Sequence, residues 1–204
     1  MSRVVHPIET RSYRILRSIV ETGTLAQHTR DVVERIIHTT ADPTWRDDLV
    51  ADEAALAAGA LALRNGAPLV TDAAMVAAGV TTYPSTCLVG GAAARQLAGQ
   101  AELTRSAAAI RLAARDAAEG AVWAIGNAPT ALFELLRLIA EGEVRPALVV
   151  GLPVGYVGAV ESKEALRVAA RRSSVPALSN LSARGGSAVA AAAVNALLYG
   201  DPLA

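Results

Sequence analysis

From residue 67 onward the sequence alternates between apolar runs of strand length and amphipathic stretches of helix length. No other feature constrains the fold as tightly. The runs are "APLVTD" (67–72), "STCLVGG" (85–91), "AVWAIGN" (121–127), "PALVVGLP" (146–153) and "VPALSN" (175–180). Helical patterns fall at 104–116, 129–141, 158–171 and 187–199. Runs that are apolar at nearly every position belong to strands covered on both faces, and helices between them imply right-handed βαβ units and a parallel sheet. Upstream the pattern is purely helical. Residues 8–20 place Ile15, Leu16, Ile19 and Val20 on one stripe, and Gly23 stops the helix. Thr24-x-x-Gln27 resembles a capping box for a second helix, whose stripe is Val32, Val33, Ile36 and Ile37. A third helix over 48–64 stops at Asn65-Gly66. The expectation is an α/β chain with a five-stranded parallel sheet preceded by N-terminal helices. No repeat or linker divides it, so residues 1–204 read as one domain.

Composition narrows the function classes. Apolar residues make up 52% of the 204-residue chain but aromatics only 3%, so the core is built from Ala, Val, Leu and Ile. A chain of this length removes roughly 70% of its unfolded surface from water. Formal net charge is zero, which argues against a general nucleic-acid binder. Lys163 is the only lysine among 19 basic residues, and the rest are arginines, whose forks grip carboxylates in bidentate fashion. Cys87 stands alone, which leaves no intrachain disulfide and no thiolate metal cluster. "MSRVVHPIET" lacks the apolar run of a signal peptide, and no stretch approaches the roughly 18 apolar residues of a membrane span. A soluble, cytoplasmic protein is expected.

In parallel sheets ligands bind beyond the carboxyl ends of the strands. Asp72, Gly90-Gly91, "GNAPT", "GLPVGYVG" and "NLSARGGS" occupy those places here. Each has a plain structural account. Pro129 sits at a favoured first helical position, and Gly126 lets the strand turn. "GLPVGYVG" contains no G-x-G-x-x-G, and no P-loop lysine follows it, which disfavours a nucleotide-dependent oxidoreductase. "ARGGS" reads equally as a tight turn or as an anion site at a helix start, with Arg184 nearby. Glu161, Lys163 and Glu164 read as a solvated helix face.

Only three histidines occur, and one of them closes "ERIIHTTAD" (34–42). Arg35 and His38 are three apart on a helix, so they share a face. A histidine gives or takes a proton near neutrality, and a neighbouring guanidinium holds an anion while lowering the imidazole's proton affinity; Glu34 acts in the opposite sense. By spacing alone, a helix-terminal histidine complementing the macrodipole is the simpler account. His6 and His28 read as surface or capping residues.

"HPIETRSYRIL", "ERIIHTTAD", "GAPLVTDAAMVAAGV", "TRSAAAIRL", "AIGNAPTALFELL", "GLPVGYVGAVESKEAL" and "GGSAVAAAAVNALL" together resemble the precorrin-8X methylmutase (precorrin isomerase) family, in register along nearly the whole chain. The resemblance implies a three-layer α/β/α sandwich with a five-stranded parallel sheet. It implies an isomerase of cobalamin biosynthesis that moves a methyl group from C-11 to C-12 of a contracted tetrapyrrole. The product is hydrogenobyrinate from precorrin-8X, or cobyrinate from cobalt-precorrin-8. It further implies homodimers whose cavities involve both subunits and a methyl shift that needs no metal or redox cofactor; hand-over of product to the next enzyme is left open. His38 matches the family's proton donor or acceptor, and Ser12 and Arg35 match its substrate-binding residues. Arg105, Thr86, Asn127, Gly155, Gly186 and Ser187 fall where cavity walls are expected. One departure stands out. Where the family often has a glycine–basic pair before Gly-Gly-Ser, this chain has Ser182-Ala183, with the basic side chain one position on, at Arg184. A non-catalytic corrinoid carrier is the alternative, and the intact His38, Ser12 and Arg35 speak against it.

Overall fold

The structure is a computed structural model and describes residues 5–203. In chain order the elements are α1 (Pro7–Ile19), α2 (Gln27–Thr40), α3 (Trp45–Asp48), β1 (Leu49–Ala51), α4 (Glu53–Arg64), β2 (Leu69–Thr71), α5 (Ala74–Gly79), α6 (Ala92–Gln100), α7 (Arg105–Ala113), β3 (Val122–Ile125), α8 (Pro129–Ala140), β4 (Leu148–Gly151), α9 (Ala159–Ser173), β5 (Ala177–Asn180) and α10 (Ser187–Tyr199). The five strands form one sheet in the order β1-β5-β4-β3-β2.

The sheet is mixed rather than wholly parallel. Strands β2 to β5 run parallel, and β1 pairs antiparallel with β5, with Leu49 opposite Asn180 and Ala51 opposite Leu178. The sequence reading placed β1 inside a helix beginning at residue 48. That helix starts later because Asp52 caps it, its carboxylate accepting the Ala55 N–H at 2.9 Å. The apolar trio ahead of the cap is then free to extend along β5. The run at 85–91, expected as a strand, contributes a single bridge. Thr86 donates its N–H to the Leu69 carbonyl at 2.8 Å and accepts from the Thr71 N–H at 2.9 Å. Pro84 on one side and Gly90-Gly91 on the other stop the pairing from lengthening.

Strand residues alternate between two apolar cores. Leu69, Val122, Ala124, Leu148, Val150 and Leu178 join the core that includes residues of α2, α4, α5 and α10. Val70, Trp123, Ile125 and Val149 join the core built with α7, α8 and α9. Strand residues therefore pack with two different sets of helices, and all residues of β3 and β4 are buried. This is why those runs read as continuously apolar. Among the described residues no helix is long and apolar enough to cross a membrane.

Candidate active site

The His38 end of the candidate site is built where α1 packs on α2. Pro7 opens α1, and the His6 side chain caps it by accepting the Ile8 N–H at 3.2 Å. Tyr13, Leu16 and Val20 point inward. Helix α2 begins without the expected capping box, because its N-cap is Ala26. Glu53 does that work from α4: its carboxylate accepts the N–H groups of His28 and Thr29, each at 2.9 Å, and the His28 ring at 2.9 Å. At its other end α2 closes on Ala41 in the left-handed region, φ 53°, with the Ala41 N–H on the Ile37 carbonyl.

His38 sits half-buried in the last turn of α2, its Nδ1 2.8 Å from Ser12 Oγ. The Tyr13 ring stacks on it at 5.0 Å between centroids, with 26° between the planes. One turn earlier, Arg35 is only 7% exposed. Its guanidinium carbon lies 5.9 Å from the Tyr13 ring centre and 5.7 Å from that of Tyr199, the last residue of α10. Nη1 is 3.6 Å from Glu9 Oε1, whereas Nε and Nη2 are buried with no hydrogen-bond partner among the described residues. A buried cation whose donors are left open is costly unless an anion reaches it. Glu34, expected to act on His38, points elsewhere: it is fully buried and accepts from Arg17 at 2.9 and 2.8 Å and from Thr22 at 2.6 Å.

A second group lines the carboxyl ends of the parallel strands. Asp72, fully buried after β2, accepts the N–H groups of Gly126 (2.9 Å), Asn127 (2.9 Å) and Ala128 (2.7 Å). Burial raises its pKa above the usual aspartate value, against the pull of those three amides. The "GNA" turn is thereby fixed and the Asn127 side chain left exposed. Thr130 Oγ1 and Thr104 Oγ1, 2.7 Å apart, tie the start of α8 to the start of α7, where Arg105 is exposed. The Gly155 N–H reaches the Ala183 carbonyl at 3.3 Å and the Gly186 N–H reaches that of Leu152 at 2.9 Å. Gly185 has φ +155°, and a side chain there would run into the Leu152 carbonyl. Ser187 Oγ is buried without a partner among the described residues.

The expected residues thus fall into two places. Ser12, Arg35 and His38 meet in one. Asn127, Gly155, Gly186 and Ser187 lie along the strand ends, Arg105 opens α7, whose start is tied to that of α8, and Thr86 is at the β2 edge. Ser187 opens α10, and Tyr199 beside Arg35 closes it, so a helix roughly 20 Å long spans the two groups within one chain. A separate cleft of about 650 Å³ between α4 and α9, lined in part by Ala55, Ala58, Arg167, Pro176 and Ser179, contains none of these residues.

Two expectations are corrected beside α9. Lys163 is fully buried rather than part of a solvated face. Arg184 is occupied within the chain: it bonds Asp42, Thr44 Oγ1 (2.8 Å) and Asp48 Oδ2 (3.1 Å) and lies 4.5 Å over the Trp45 ring. Tyr13, Glu9, Tyr199 and Asp48 were not picked out from the sequence. Aromatic scarcity was the available signal for two of them, since two of only four tyrosines flank Arg35.

Residues 7–200 match the family model described as precorrin-8X methylmutase. The chain is 42% identical over 196 residues to a precorrin-8X methylmutase of Pseudomonas aeruginosa, covering 93% of each chain. It is 37% identical over 195 residues to a cobalt-precorrin-8 methylmutase of Methanothermobacter thermautotrophicus, covering 95% of this chain and 92% of the other. The crystal structure of a precorrin-8X methylmutase from Thermus thermophilus superposes with a TM-score of 0.82 at 34% identity, over 93% of both chains. Sequence and fold agree, and the chain belongs to the precorrin-8X methylmutase family, the isomerases of cobalamin biosynthesis.

Proposed function

We propose that this chain converts precorrin-8X to hydrogenobyrinate, or cobalt-precorrin-8 to cobyrinate, by moving a methyl group from C-11 to C-12, with His38 as proton donor and acceptor. The observation that carries this reading is the pairing, one helical turn apart, of a tethered imidazole with a buried guanidinium that has two donor groups open among the described residues. Arg35 would take a carboxylate arm of the pigment through charge-assisted hydrogen bonds. Ser12 engages Nδ1 and orients the imidazole, and His38 exchanges a proton with a ring nitrogen near the migrating methyl. Protonation makes the conjugated system a better acceptor. The C-11 to methyl bond breaks as the C-12 to methyl bond forms, and the proton returns to His38. Positioned proton transfer contributes ~10²–10⁴-fold, and orientation of the macrocycle supplies the remainder.

The same reading treats the chain as one domain in a three-layer α/β/α arrangement, working as a homodimer in the cytoplasm and handing product to the next enzyme. Strand-end residues of one subunit, Arg105, Asn127, Gly155, Gly186 and Ser187 with Thr86, would face His38 of the other. Exposed apolar side chains beside both groups support this: Ile8, Ile15 and Ile19 on α1, and Val154, Tyr156 and Val157 around Gly155.

The test is incubation with precorrin-8X and, separately, cobalt-precorrin-8, followed by absorbance. The expected result is conversion by the unaltered chain and at least a 100-fold slower kcat in His38→Ala, with pigment binding retained. Near-normal turnover in His38→Ala removes the proton step from the proposal. Pigment that binds but stays unchanged on the unaltered chain means carriage instead of catalysis.

A further inference from the structure

The chain's only lysine lies on the inward face of α9, fully buried. Its Nζ donates to Asn180 Oδ1 at 3.0 Å, to the Arg184 carbonyl at 2.7 Å and to the Ser182 carbonyl. Three acceptors match the three donors of an ammonium group. From the opposite side, the Asp48 carboxylate accepts from the Asn180 amide at 2.9 Å, the Ser182 N–H at 2.9 Å and Ser182 Oγ at 2.7 Å. Two buried ions of opposite sign therefore grip the same turn, residues 180–184, just before Gly186 and Ser187. Arg184 extends the grip outward to Asp42 and Thr44. Those residues follow closely on α2, the helix that carries His38 in its last turn.

Burying such ions is costly, and a well-packed apolar pair would hold a core at least as well. Their use is therefore geometric. The turn runs past the end of β5 without regular pairing of its own, and its Ser182 and Arg184 carbonyls take their donors from Lys163 and from the Asn180 amide.

We propose that Lys163 is a positioning residue: together with Asp48 it sets the shape of the 180–186 turn, so that Gly186 and Ser187 stand correctly in the wall of the corrinoid site, and through Arg184 it fixes that wall relative to the His38 helix. This inference rests on the corrinoid reading given above. Lys163 touches no substrate; it acts through the turn.

The test compares Lys163→Met, Arg184→Ala and the double variant in the full chain. KM and kcat are measured with precorrin-8X, binding is measured by absorbance titration with hydrogenobyrinate, and folded fraction by circular dichroism. A misplaced wall raises KM and weakens hydrogenobyrinate binding about tenfold in each single variant, with kcat changed less than about threefold. The double variant is then no worse than the more affected single one, because both cut the same linkage. A merely structural role lowers the folded fraction and apparent kcat together and leaves KM where it was. Arg184 is 37% exposed on its side chain, so Arg184→Ala decides the matter even if Lys163→Met does not fold. Isomerisation by the unaltered chain with KM unmoved in Arg184→Ala overturns the positioning role alone. An unaltered chain that neither binds nor converts the pigment overturns the corrinoid reading as well.

Discussion

Arg35 is the residue whose environment makes least sense for stability alone. It is surrounded by two tyrosine rings and a carboxylate 3.6 Å away, with Nε and Nη2 unmatched among the described residues. A buried ion whose donors are only partly paired recovers little of its desolvation cost and so adds little to stability. Losing charge-assisted bonds to a ligand costs about 1.5–3 kcal/mol, or roughly 10- to 150-fold in affinity. Arg35→Met is therefore expected to keep or raise the urea midpoint while KM for precorrin-8X rises by more than an order of magnitude. A large drop in the midpoint with KM unchanged would make Arg35 a structural ion. The sequence disclosed that Arg35 and His38 stand one turn apart, because both lie on one helix and helical spacing is local. It could not disclose Tyr199, 164 positions further along, since nothing local to either residue encodes that approach. Glu34 misled for a related reason: spacing put it near His38, and long-range pairing with Arg17 and Thr22 turned it away.

At the scale of elements, the capping of α2 shows how one helix borrows its order from another. Glu53 opens α4, yet its carboxylate also accepts the first free N–H groups of α2. Burial pushes its pKa up, but the hydrogen bonds from His28 and Thr29 outweigh that and hold it at about 2, against an ordinary 4.5. A depressed carboxyl pKa contributes stability that is fully present above the unfolded value and lost as pH falls through the folded one, so the window lies between 4.5 and about 2. Glu53→Gln is expected to lower stability at pH 7 by about 1 kcal/mol, a cap-sized effect discounted for the partly open side chain. The gap to the unaltered chain should close as pH falls toward 3 in urea unfolding experiments; a gap that stays constant would mean the charge is not what caps α2. This device was invisible in the sequence, where Thr24-x-x-Gln27 offered a local cap. The other elements sort by the same rule. Helices α8 and α10 were legible nearly to the residue because Pro129 and Gly186-Ser187 mark their starts locally. Strand β1 was not: three residues are too few to show a period, and only pairing with β5 makes them a strand.

At the scale of the whole molecule, the two groups of candidate residues lie at opposite ends of α10, and exposed apolar side chains stand beside each. Soluble chains seldom leave several large apolar residues open on two neighbouring elements without a partner to cover them. A two-fold pair is the commonest closed arrangement, and it would bring the His38 end of each chain against the strand ends of the other. Mixing inactive variants distinguishes a cavity shared in this way from one that each chain builds alone. His38→Ala and Arg105→Ala, each separately inactive or nearly so, are co-expressed with different affinity tags, and doubly tagged dimers are isolated. If His38 of one chain works with Arg105 of the other, each mixed dimer contains one site with both lesions and one with neither. Its precorrin-8X turnover then returns to about half that of an unaltered dimer. If each chain uses its own His38 with its own Arg105, every site keeps one lesion and the mixed dimer stays as inactive as its parents. Recovery in the doubly tagged fraction therefore places the two halves of the site on different subunits, and its absence places them on one.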